Sequence, residues 1–183
     1  MRKKILFLAG MMACGSLAGA QEISKTWVAD KGNGTYQNPV LHADYSDPDV
    51  CAAGDDFYMT ASSFNCIPGI PILHSNDLVN WSLVNYALPV QEPEAFFDKA
   101  QHGKGVWAPA IRFHNGEFYI YWGDPDYGIY MIKTKDPKGK WSKPVLVKAG
   151  KGMIDATPLW DEDGKVYLVH ACLLYTSDAA DEL

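Results

Sequence analysis

The chain has 183 residues, of which 48% are hydrophobic and 13% aromatic, and a formal net charge of −6. That composition suits one or at most two folded domains and excludes a disordered, fibrous or low-complexity protein. The acidic balance gives no general electrostatic reason to bind nucleic acid or an anionic membrane, so a polyanionic partner is not expected.

Arg2, Lys3 and Lys4 form a basic head, Ile5 to Ala13 an apolar stretch, and Ala18-Gly19-Ala20 a small-residue cleavage site. This order predicts a secretory signal peptide over residues 1–20, a mature chain starting near Gln21, and export to the periplasm or beyond. A second reading makes Met11-Met12-Ala13-Cys14 a lipoprotein site with Cys14 lipidated, although the usual leading Leu is missing. No later uncharged run approaches the roughly 20 residues a membrane helix requires. Residues 21–37 read as a lead-in to the folded domain. Cys51 falls in a strand pattern and Cys66 in a loop, without the dense spacing of a disulfide scaffold, so both are expected to be buried free thiols.

From Asp47 onward one pattern occurs three times: a short strand, a tight turn, and a second strand centred on Tyr. The copies are Pro48 to Cys51 turning at Gly54 into Phe57-Tyr58-Met59, Pro109 to Phe113 turning at Asn115-Gly116 into Phe118-Tyr119-Ile120, and Pro158 to Trp160 turning at Asp163-Gly164 into Val166-Tyr167-Leu168. Asn-Gly and Asp-Gly are favoured two-residue hairpin turns because both central residues must adopt positive φ. A further element, Leu73 to Ser82, matches Ile132 to Ser142 and carries Asp77 and Trp81 against Asp136 and Trp141, which read as scaffold. Each unit is thus a four-stranded sheet. The copies recur after 61 and then 49 residues, the spacing of propeller blades once long loops are inserted at Ser62 to Pro71 and Pro89 to Gly105. Phe118, Ile120 and Trp122 would face one way and Tyr119 and Tyr121 the other, so both faces need cover, which stacked blades provide. On pattern alone the competitor is an ordinary β-sandwich.

Two aspartates open such first strands, Asp47 in Tyr45-Ser46-Asp47-Pro48-Asp49 and Asp155 in Ile154-Asp155-Ala156-Thr157-Pro158. In a propeller the first strands line the central channel, so these carboxylates would converge. Convergent carboxylates suit glycoside hydrolysis, in which one group deprotonates water and another protonates the leaving oxygen. Taken alone, Asp47-Pro48 is common turn chemistry and Asp155 an ordinary loop acid.

Asn38-Pro39-Val40, Asp44-Tyr45-Ser46-Asp47-Pro48-Asp49, Gly105-Val106-Trp107-Ala108-Pro109 and Ile154-Asp155-Ala156-Thr157 together resemble the N-terminal half of glycoside hydrolase family 43. The resemblance runs from about Asn38 to about His170. It implies an all-β, five-bladed β-propeller, present over residues 38–171 as about two and a half blades, and an inverting β-xylosidase or α-L-arabinofuranosidase acting on plant polysaccharide. It also implies that Asp47 is the general base and that Asp155 orients the general acid and holds its proton more tightly. Phe64 and Trp107 would be aromatic walls for the sugar, an aromatic face packing on C–H groups while hydroxyls stay free for hydrogen bonds. The acid, a Glu followed by Gly-Pro in the family, is absent after Asp155.

No cofactor is expected, a structural calcium ion being the one alternative left open. Asp124, Asp126, Asp161, Glu162 and Asp163 read as solvated turn acids, with no ligand-spaced motif for calcium. His42, His74, His102 and His114 show no metal spacing and read as hydrogen-bonding or surface residues. From Cys172 to Leu183 the blade pattern stops, and the run resembles the translation of a sequencing-library adapter; residues 172–183 are therefore expected to be foreign to the natural protein. A partial ring exposes apolar faces, so the fragment alone is expected to hydrolyse nothing. The alternative function is a non-catalytic propeller that binds glycans. Fructan-cleaving relatives, which retain configuration, fit the Asp47 context poorly.

Overall fold

Ten strands, rich in β-branched and aromatic residues, make up the computed structural model, which describes residues 26–176. The expected signal peptide, Cys14, the Gln21 start and residues 177–183 lie outside the described residues. β1 (Asp49–Ala53), β2 (Asp56–Thr60), β3 (Gly69–Ser75) and β4 (Ser82–Leu88) form one antiparallel sheet in that order. β5 (Trp107–His114), β6 (Glu117–Asp124), β7 (Gly128–Thr134) and β8 (Val145–Ala149) form a second in the same order. β9 (Met153–Trp160) and β10 (Val166–Cys172) form a hairpin. Single helical turns, α1 (Glu94–Phe97) and α2 (Leu173–Thr176), complete the elements. The chain is all-β, with two four-stranded units and a two-stranded third, in keeping with part of a propeller.

Turn chemistry explains two of the three hairpins as expected. Ala53 pairs with Asp56 across Gly54-Asp55, and His114 with Glu117 across Asn115-Gly116, whose φ values are 50° and 79°. The third differs. The Asp161 N–H donates to Lys165 O and the Gly164 N–H to Asp161 O, so Asp163-Gly164 belongs to a longer loop in which only Gly164 takes positive φ. A type I turn followed by a left-handed glycine is the usual way to close three residues. The loop expected over Ser62 to Pro71 is also shorter, because Gly69, Ile70 and Pro71 are already in β3.

The core lies between the two four-stranded sheets. Tyr58, Ile70, Ile72 and Leu88 from the first meet Ile111, Phe118, Ile120, Trp122 and Ile132 from the second. On the other face of the second sheet the Tyr119 ring sits 5.1 Å from Trp160 of β9, and His114 stacks on the same indole at 4.6 Å. The second sheet is therefore covered on both sides, as the alternation over Phe118 to Trp122 predicts.

Adjacent first strands are tied together by one cluster. The Asp49 carboxylate in β1 accepts the Ile111 N–H of β5 at 2.7 Å and the Arg112 guanidinium, which also donates to Thr157 Oγ1 of β9 at 2.9 Å. β1, β5 and β9 thus lie side by side as the inner strands of successive units.

Two readings need correction. Cys51 and Cys66 are free, but only Cys51 is partly buried, its thiol pushed up to about 12 by burial first and Asp49 second; Cys66 sits in an exposed loop. Asp124 is no solvated acid: it is 3% exposed, and it accepts the Asp126 and Tyr127 N–H groups to close the β6–β7 turn. Burial pushes its carboxyl above the usual range. Cys172 ends β10 opposite Met153, and the Leu173 N–H donates to Gly152 O at 2.8 Å. The Asp77 and Asp136 turns do act as scaffold: Asp77 accepts the Val79 and Asn80 N–H groups, Asp136 that of Lys138, and the Trp81 and Trp141 indoles donate to Leu78 O and Pro137 O.

Candidate active site

Each inner strand carries the same irregularity. In β5, Trp107 pairs with Gly123 and Ala110 with Tyr121, so Ala108 and Pro109 together oppose Trp122. In β9, Ile154 pairs with Ala171 and Thr157 with Val169, so Asp155 and Ala156 oppose His170. Ahead of β1, the Ser62 N–H donates to Ser46 O while Asp49 pairs with Thr60, leaving Asp47 and Pro48 against Ala61. These are three β-bulges at equivalent places, and their first residues, Asp47, Ala108 and Asp155, have φ of 51°, 36° and 53°. A non-glycine residue there pays a steric cost of about 1–2 kcal/mol. Bulges of this kind re-aim a side chain at the end of a strand, and their strain marks functional places.

The bulge also explains the sequence around it. Its second residue has no ladder partner for its N–H, and proline, which has none, fills that place at Pro48 and Pro109. In the third unit Ala156 takes it, so Pro158 is not the counterpart of Pro48 and Pro109 that the linear pattern suggested.

Asp47 is exposed, and its Oδ2 accepts two hydroxyl hydrogen bonds, from Ser62 at 2.7 Å and Ser46 at 3.0 Å. Ser62 Oγ in turn accepts the Ala108 N–H at 2.8 Å. Oδ1 accepts no hydrogen bond among the described residues. Asp44, Ser46, Ser62, Ser63 and Phe64 line a hollow of about 150 Å³ beside this cluster. Asp155 is also exposed and accepts no hydrogen bond among the described residues; it lies at the matching bulge two units on, with Ala108 in the unit between, and does not line that hollow.

Phe64 and Trp107 are brought together. Their ring centroids are 6.4 Å apart in an edge-to-face arrangement, both side chains are half-buried, and the indole N–H donates to Gly103 O at 2.9 Å. Backbone pairing sets this contact: Ser63 and Val106 exchange hydrogen bonds of 2.9 and 3.0 Å, and the Gly105 N–H donates to Phe64 O at 2.9 Å. The loop after β2 is thus zipped to the approach to β5, which sets Ser62 on Asp47 and Phe64 beside Trp107 together. A larger hollow of about 700 Å³ lies away from this cluster, between the lead-in and β3–β4, lined by Trp27, His42, Tyr45 and Trp81.

Ser46, Ser62, Ala108 and Arg112 were not singled out from the sequence. Asp-Pro and Ala-Pro opening two successive first strands signal the shared bulge, but Asp155-Ala156 breaks that pattern. Among the described residues no group of three or more His, Cys, Asp or Glu side chains is placed to hold a metal ion. His74 pairs instead with Asp56, whose carboxyl is held low by hydrogen bonds from His74 and Asn76.

Known proteins resemble this chain in sequence and in overall fold. A beta-xylosidase of Formosa agariphila is 35% identical over 180 residues, covering 90% of this chain and 30% of that protein. A non-reducing end alpha-L-arabinofuranosidase of Bacteroides ovatus is 37% identical over 139 residues, covering 74% of this chain and 26% of that protein. A solved family 43 protein of Bacillus licheniformis superposes with a TM-score of 0.65 at 33% identity, over 75% of this chain and 29% of the other. The chain therefore spans less than a third of the length of these relatives. The family model for glycosyl hydrolases family 43 matches residues 36–176, and the chain belongs to that family.

Proposed function

We propose that these residues are the front portion of an exported, five-bladed propeller glycosidase that inverts configuration and releases xylose or arabinofuranose from plant polysaccharides or oligosaccharides. The observation that carries the reading is the repeated bulge, which turns Asp47 and Asp155 out at the same end of two inner strands. In the proposed mechanism Asp47 is the general base. Its Oδ2 is occupied by two serine hydroxyls and its Oδ1 is open, so a water held at Oδ1 can lose its proton to the carboxylate as it attacks the anomeric carbon. Phe64 and Trp107 supply the apolar wall for the sugar ring. Asp155 orients the general acid, a Glu-Gly-Pro glutamate contributed by chain beyond the described residues. The negative charge of Asp155 makes that proton harder to lose before the leaving oxygen needs it.

The test uses the complete gene product with aryl β-xyloside and aryl α-L-arabinofuranoside. Turnover of at least one is expected, with Asp47→Asn lowering kcat by about 10²–10⁴-fold. Failure to turn over either substrate sinks the hydrolase reading, and an Asp47→Asn enzyme within ten-fold of wild type sinks the base assignment.

A further inference from the structure

We infer that Ser62 is a positioning residue for the Asp47 carboxylate, held in the donating sense by the backbone of the neighbouring unit. This rests on the proposal that Asp47 is the base. The direction of the hydrogen bonds is fixed by chemistry. The Ala108 N–H can only donate, so Ser62 Oγ must accept from it at 2.8 Å. The single hydroxyl hydrogen of Ser62 is then directed to Asp47 Oδ2 at 2.7 Å. Ser62 is itself pinned on its backbone side, its N–H donating to Ser46 O at 3.0 Å. Because Ser46 Oγ donates to the same oxygen, the carboxylate is gripped at Oδ2 and Oδ1 is left to face water. A hydrogen bond to an ionised acceptor is among the stronger kinds and fixes the orientation of the acceptor.

The strained backbone of Ala108 gains a purpose here. With φ of 36° it costs energy and carries no functional side chain, yet its amide is aimed at Ser62. The bulge in the second unit thereby orients the Asp47 carboxylate in the first, across the seam between two sheets.

The experiment measures kcat and KM of the complete gene product on an aryl glycoside it turns over. Ser62→Ala is expected to lower kcat about ten-fold with KM within two-fold, since the base is misdirected while the sugar wall is untouched. Ser62→Thr keeps the hydroxyl and is expected to restore kcat to within about three-fold of wild type. Ser62→Cys fills the same space with a poor donor and carries the test if the alanine variant does not fold; it is expected to behave as Ser62→Ala. A kcat change under two-fold, a loss confined to KM, or no recovery in Ser62→Thr overturns the inference. Asp47→Asn separates the two levels of the argument: if it stays active the base assignment fails, and if it is inactive while Ser62→Ala is unaffected only the Ser62 role fails.

Discussion

Gly105→Ala tests whether the strap between the first two sheets sets the geometry of the site. A Cβ at this position would lie 2.1 Å from Ser63 O, 2.7 Å from Phe64 O and 2.8 Å from Phe64 C, all backbone atoms that cannot rotate aside. The two segments must separate, which breaks the paired Ser63–Val106 hydrogen bonds and the one from Gly105 to Phe64 O. Three such bonds contribute about 3 kcal/mol in total. Against this, replacing glycine by alanine restricts the unfolded chain and returns about 0.4–1 kcal/mol. The net expectation is a loss of about 2–3 kcal/mol, read as a lower denaturation midpoint in the complete protein. Activity should fall as well, with KM rising because Phe64 moves off Trp107 and kcat falling because Ser62 moves off Asp47. The sign decides the matter: if the strap has room for a methyl group, the variant is more stable than wild type by the entropy term alone, and that outcome with an unchanged KM refutes the reasoning.

Two further substitutions probe the scaffold beneath the site. Arg112→Met is expected to cost about 1–2 kcal/mol, because Asp49 loses its guanidinium and Thr157 its donor while the Ile111 N–H remains; Arg112→Lys should not restore it, since one ammonium cannot bridge both partners, and chemical denaturation of the pair checks this. Asp124→Asn should raise the melting temperature near pH 7, because the amide oxygen can accept the same two N–H groups without a buried charge. Its advantage should shrink as pH falls. The folded carboxyl of Asp124 is raised by burial, so the native state binds its proton more tightly than the unfolded chain does, and wild type gains stability relative to the variant on acidification through the carboxylate range. Parallel melting curves from pH 7 to pH 3 that keep a constant separation would contradict this account.

The hairpins were legible because Gly54, Asn115-Gly116 and the alternating aromatics are local signals, and a four-stranded unit follows from repeating them. The Asp163-Gly164 turn misled because the dipeptide fits two loop lengths, and the choice is made by Asp161 and Lys165 pairing, which no dipeptide encodes. Asp124 misled for a related reason. Its neighbours Pro125 and Asp126 look like a wet turn, but the buried face of β6 runs through Trp122 and Gly123 to Asp124 before the turn begins. Asp47, Asp155, Phe64 and Trp107 could be picked out from motifs; the hydroxyl cluster on Asp47 could not. Ser46 and Ser62 meet only when the segments before β1 and after β2 pair, and Ala108 reaches them from a different sheet.

The three bulges also bear on how acidity is distributed among the three units. An acid–alanine–acid order at equivalent positions keeps the two carboxylates two units apart, with the Ala108 bulge in the unit between them. Alanine carries no charge into this place yet retains the bulge, whose amide, not its side chain, holds Ser62 against Asp47. The left-handed backbone is thus common to all three units for different reasons: in the outer two it turns out a carboxylate, and in the middle one it turns in a donor. One repeated backbone device yields two different chemical outputs because the side chain at its first residue can vary independently of the N–H that the same residue presents.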